Sequence, residues 1–207
     1  MQDKIKIIDM DFDENSDLTG LHFVSYVENP AIEEHFVKFS NVKMSAVNDE
    51  RRMVFGPLLI PEQLILRKDD KTGEAFYMRF KAPVIEKAVH TFLKKGFLHN
   101  VNLEHKTPME GVYLCEVWTK WYEDDKSSGM GFDLPIGTAF AGYKVDNDEL
   151  WSKIKSGEVM GFSIEGLFTA AKETFLKMCS IDKDGIDHEQ EFINALKGIR
   201  TRLNLPL

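Results

Sequence analysis

Val159-Met-Gly-Phe-Ser163-Ile-Glu165-Gly-Leu-Phe-Thr169 reads as a β-strand whose period of two sets Ser163 and Glu165 on the same face. A short helix stands before it. Asp146 or Asn147 can cap its start, Asp148 and Glu149 suit the positive first turn, Leu150, Trp151 and Ile154 form an apolar stripe, and Gly157 ends it. Residues 137–145 and 112–122 read as further strands. The loop between them, 123–131, is acidic, then rich in Ser and Gly, and is expected to be exposed and mobile. A second helix is marked by Pro83 in its first turn, by Ile85, Ala88, Val89, Phe92 and Leu93 on one face, and by Gly96 beyond its end. Nearer the N-terminus, Leu21, Phe23, Ser25 and Val27 alternate with His22, Val24 and Tyr26 in a strand that stops at Asn29-Pro30. Residues 36–47 alternate loosely, and 75–80 is another short strand. The run 53–60 is broken at Gly56-Pro57, which suggests an edge or a bulge. Many strands with two helices favour a β-rich α+β fold, an antiparallel β-barrel or rolled sheet with covering helices.

The 207 residues include 26 basic and 34 acidic side chains, for a formal charge of −8. Three parts are expected: an acidic N-terminal arm over 1–19, a β-rich domain over 20–171 and a tail over 172–207 with an amphipathic helix. The acid excess argues against a nucleic-acid partner, which would need clustered Lys and Arg. Trp118, Trp121 and Trp151 are not interleaved with basic residues and read as packing residues. Cys115 and Cys179 cannot make a disulfide framework, and a reducing compartment is the simpler expectation. No stretch approaches the roughly 18 apolar residues of a membrane span, so a soluble intracellular protein without a membrane partner is expected.

The chemistry-bearing constellation is Ser163 with His105. His105 closes Asn100-Val-Asn-Leu-Glu-His105 at a strand end, and small residues flank Ser163. A serine hydroxyl becomes a nucleophile when an imidazole accepts its proton, and the imidazole needs an orienting partner. The segment is not the nucleophile elbow G-x-S-x-G, because Gly166 comes one residue late, which argues against an α/β-hydrolase. His99 and His105 lack a third ligand at recognisable spacing, so neither a metal nor another cofactor is expected.

Several motifs stand in a recognisable order: Phe23-Val-Ser-Tyr-Val-Glu-Asn-Pro-Ala31, Asn102-Leu-Glu-His105, Leu134-Pro-Ile-Gly-Thr138, the helix 148–157 and Gly161-Phe-Ser163-Ile-Glu-Gly166. Over roughly residues 18–170 the chain resembles the phage prohead (capsid maturation) serine proteases, specifically their XkdF-like branch. The resemblance implies a fold similar to herpesvirus assemblin, with Ser163 as nucleophile and His105 as general base. It implies an enzyme of the host cytoplasm that cleaves scaffold and capsid precursors inside assembling proheads, with self-cleavage and self-association open to it. In related proteases a carboxylate in the Phe23-Val-Ser segment orients the histidine, and here Phe23 occupies that place. Glu116 is the first choice for the orienting acid, because alternation puts it on a face with Leu114 and Trp118, where a carboxylate needs a partner. Glu165, on the face of Ser163, is the second. The herpesvirus enzymes use a second histidine, for which His188 would be the candidate.

The tail carries a separate signal. With Ser180 as position 1, Asp182, Asp184, Gly185 and Glu191 fall at positions 3, 5, 6 and 12 of a calcium loop, although Ser replaces the first Asp and Asp187 takes the usual apolar place. Two other readings of the whole chain therefore stand beside the protease. One is a catalytically inactive assembly or scaffolding protein with the protease-like fold, and the other is a calcium-binding interaction module in the tail.

Overall fold

The computed structural model describes residues 5–28, 45–48, 51–68 and 72–176. In chain order these form β1 (Ile5–Asp11), β2 (Gly20–Val27), β3 (Ser45–Asn48), β4 (Met53–Leu59), β5 (Ile65–Lys68), β6 (Ala75–Arg79), α1 (Ala82–Lys94), β7 (Val101–Leu103) and β8 (Thr107–Pro108). There follow β9 (Val112–Thr119), α2 (Lys126–Gly129), β10 (Ala139–Val145), α3 (Asp148–Ser156), β11 (Gly161–Leu167) and β12 (Thr169–Leu176).

The strands make three four-stranded sheets, ordered β12-β1-β6-β5, β3-β4-β10-β9 and β11-β2-β7-β8. The fold is thus β-rich, but among the described residues no sheet closes on itself into the expected barrel. Nor is the pairing purely antiparallel: β1 runs parallel to β6 and β2 parallel to β7. Parallel neighbours cannot be joined by hairpins, so each pair draws together strands distant in sequence.

Both anticipated helices form, α3 with a side-chain cap and α1 without one. In α1, Pro83 opens the first turn and Ile85, Ala88, Val89 and Phe92 are buried, whereas Leu93 turns toward solvent. In α3, the Asn147 side chain accepts from Leu150 N at 2.9 Å, Leu150, Trp151 and Ile154 are buried, and Gly157 closes the helix in the left-handed region. Their apolar faces join residues from all three sheets in one core, where Val24, Tyr26, Val54, Ile65, Tyr143 and Phe162 are buried.

Three expectations change. The acidic N-terminal stretch is not a loose arm: β1 is an inner strand, paired with β12 along Ile5–Asp11 and with β6 on its other side. The tail boundary at residue 172 falls inside β12, which runs to Leu176. The loop 123–131 is largely exposed yet built, because the Asp125 carboxylate caps α2 by accepting from Ser127 N at 2.8 Å and also takes Trp118 Nε1 at 3.1 Å. Pro57 sits within inner strand β4, where the bulge alternative holds: β10 shifts register between Ala139 and Phe140, opposite it. Trp121 is more than half exposed, so it is not a packing residue. Among the described residues no helix is long and apolar enough to cross a membrane.

Candidate active site

The third sheet brings the polar residues of three strands into line. Ser163 on β11 stands opposite Ser25 on β2, and Ser25 stands beside Asn102 on β7. Two residues along β11, Glu165 stands opposite Phe23. Period two puts all five on one face, while Val24, Tyr26, Val101 and Phe162 point the other way into the core. Gly166 follows at a bulge, and there a Cβ would come within 2.1 Å of the Gly20 carbonyl oxygen. That glycine is required by a backbone approach within the sheet.

His105 reaches this face from the turn between β7 and β8. The turn is closed by Lys106 N donating to Leu103 O at 3.0 Å, and both Glu104 and His105 are left-handed, with φ of 52° and 56°. Two consecutive non-glycine residues in that region carry roughly 1–3 kcal/mol of strain each, which surrounding contacts must offset. Here the turn is stitched to the end of β2: Glu104 N donates to Tyr26 O at 3.0 Å, and the Glu104 carboxylate accepts from Glu28 N at 2.6 Å.

Three donors converge on one carboxylate oxygen. Glu165 Oε1 accepts from Ser25 Oγ at 2.6 Å and from Asn102 Nδ2 at 2.5 Å, and His105 Nδ1 lies 3.0 Å from it. Ser25 Oγ is also 2.9 Å from His105 Nδ1. Burial alone would raise the Glu165 pKa, but the bonds from Ser25, Asn102 and His105 outweigh it and hold the carboxyl below its ordinary range. An ionised Glu165 requires the proton on Nδ1, which leaves the Nε2 lone pair as the basic site of the ring. Among the described residues neither Nε2 nor Ser163 Oγ has a hydrogen-bond partner, and so none joins the two; the His105 side chain is 42% exposed, whereas Ser163 is buried.

Ser163, His105 and Glu165 are therefore brought to one sheet face. Glu116 is not. β9 shifts register against β10 between Leu114 and Glu116, leaving Cys115 as the extra residue and turning Glu116 away from the buried face of Leu114. The carboxylate of Glu116 is half exposed and paired with Lys126, whose ammonium also lies 3.8 Å over the Trp118 ring. The calcium-loop residues Asp182, Asp184 and Glu191, with His188, lie outside the described residues. Sequence reasoning passed over Ser25 and Asn102. Their signal was a small polar residue within an otherwise apolar strand: Ser25 between Val24 and Tyr26, Asn102 between Val101 and Leu103.

No curated protein and no solved structure matches this chain. The family model described as "Putative phage serine protease XkdF" matches residues 41–173. This span covers well over half of the chain, includes Asn102, His105, Ser163 and Glu165, and begins after Ser25. The chain therefore belongs to the XkdF family of phage serine proteases.

Proposed function

We propose that the chain is a serine endopeptidase that cleaves scaffold and capsid precursor proteins during phage or prophage head assembly, within the prohead in the host cytoplasm. The observation that carries the reading is the 3.0 Å approach of His105 Nδ1 to Glu165 Oε1 on the face that also bears Ser163. Ser163 Oγ attacks the peptide carbonyl carbon and His105 Nε2 takes its proton. The tetrahedral adduct collapses, the C–N bond breaks, and Nε2 returns the proton to the leaving amine. Water then repeats the sequence on the acyl-enzyme and releases the new carboxyl terminus. Glu165, rather than Glu116, holds the Nδ1 proton and stabilises the imidazolium. The substrate class follows from family membership and from the resemblance to prohead proteases. An assemblin-like arrangement of the sheets, self-cleavage in the tail and self-association belong to the same reading.

The test is co-expression with the cognate capsid and scaffold proteins. Ser163→Ala and His105→Ala should each abolish precursor processing on gels while leaving the protein folded. Processing that continues with Ser163→Ala would end the mechanism. A wild-type protein that neither processes precursors nor reacts with serine-directed electrophiles would instead be a non-catalytic assembly protein.

A further inference from the structure

We propose that Ser25 is a positioning residue of this site: its hydroxyl fixes Glu165 and the His105 ring in the one orientation that leaves Nε2 as the free basic nitrogen. This rests on the protease reading above. Ser25 is fully buried and central in the polar row of three strands, between Ser163 on β11 and Asn102 on β7. Its single proton goes to Glu165 Oε1 at 2.6 Å, so its lone pairs face His105 Nδ1 at 2.9 Å. The Nδ1 proton is thereby shared between the Ser25 oxygen and the Glu165 oxygen, which ties the ring at two points. Asn102 supplies the third donor to Glu165 from the opposite side of β2.

The same geometry excludes Ser25 as the nucleophile, although it is the serine in contact with the histidine. It is closed to solvent, meets the nitrogen that faces the carboxylate, and already spends its proton on Glu165. Ser163, across the ladder, is also buried but has no hydrogen-bond partner among the described residues. The family match begins after Ser25, so β2 contributes this residue from beyond the matched span.

The experiment uses the full chain and a fluorophosphonate probe. Mass spectrometry of the wild-type adduct should place the label on Ser163. Ser25→Ala, which removes only an oxygen, should retain the fold and leave KI unchanged. Its kinact should fall roughly tenfold to hundredfold, the scale of one lost hydrogen bond to a charged group. In parallel, carboxyl carbon NMR should show the Glu165 titration midpoint moving upward in Ser25→Ala, a change that a merely structural serine would not produce. A label on Ser25 overturns the assignment, as does a Ser25→Ala protein with wild-type kinact and an unmoved Glu165 midpoint. Failure of the wild type to label at all counts against the protease reading, while the carboxyl titration still reports separately on whether Ser25 holds Glu165.

Discussion

Glu116 on β9 and Glu165 on β11 are both strand carboxylates set among apolar neighbours, yet the fold gives them opposite surroundings. Glu116 stands opposite Gly142, which has no side chain to offer, and its carboxylate turns outward to Lys126. Glu165 stands opposite Phe23 on a strand whose next residue on that face is Ser25, with Asn102 one strand further. The environment of a strand carboxylate is thus set by what the neighbouring strands place beside it. Alternation along its own strand says which face it takes only while the register holds, and at Cys115 it does not. Phe23 adds a second point. It holds the place where the resemblance expects an acid, and the residue directly across the ladder from it is Glu165. A carboxylate thus stands one strand over, on the same face.

The sharpest way to break this comparison is to neutralise each acid in turn. Glu165→Gln keeps the shape but removes the charge that fixes the Nδ1 proton, so processing of precursors should fall by roughly 10²–10⁴, the range for disturbing the acid of a Ser-His-acid triad. Glu116→Gln should process at the wild-type rate. Equal losses from both substitutions, read from precursor decay on gels, would show that the two regions are not distinguished as the geometry implies.

A smaller effect separates Glu165 through stability. Burial pushes its pKa up, and the bonds from Ser25, Asn102 and His105 pull it further down, so the folded value lies below the ordinary 4.5. Between the folded and unfolded values the unfolded chain binds more protons, and stability rises with pH. The contribution is therefore complete above the titration of an ordinary glutamate, at 4.5, and is lost as pH falls through the lower folded value. Urea midpoints followed from neutral pH down to about pH 3 should fall more steeply for the wild type than for Glu165→Gln. Parallel curves would mean that the three donors do not favour the ionised form.

Much of this was legible in the sequence. The helix with Pro83, the Asn147 cap, the Gly157 stop and the strand carrying Ser163 follow from local chemistry, which acts over a few residues and survives any tertiary arrangement. Pairing between strands was not legible. β1 lies between β6 and β12, partners that begin some 70 and 160 residues further along the chain, and nothing in the acidic N-terminal stretch marks it as an inner strand. For the same reason Ser163, His105 and the face of Glu165 could be named, while Ser25 and Asn102 could not. Their contacts with Glu165 exist only once β2 is placed between β11 and β7. The placement of Glu116 on the face of Leu114 failed at a single bulge, a feature set by the fit of β9 against β10 and invisible to a count of alternate residues.

The faintest contrast lies in what each carboxylate contributes to holding the fold. Glu116 and Lys126 face solvent on both sides, at side-chain exposures of 45% and 43%, so water screens their attraction and both long side chains lose rotamer freedom in meeting. A double-mutant cycle with Glu116→Gln and Lys126→Met should give a coupling of only about 0.2–1 kcal/mol. Lys126→Met alone should cost little beyond that, because the thioether chain can still lie over Trp118 and Phe55, where the lysine now rests. High salt should erase most of the coupling. For Glu165 with Ser25, where the serine is fully buried and the bond is 2.6 Å, the corresponding cycle of Glu165→Gln and Ser25→Ala should be larger and nearly indifferent to salt. If urea titrations gave both pairs the same small, salt-sensitive coupling, the Glu165 cluster would be an ordinary surface contact, and its donors would have no special claim on the carboxylate.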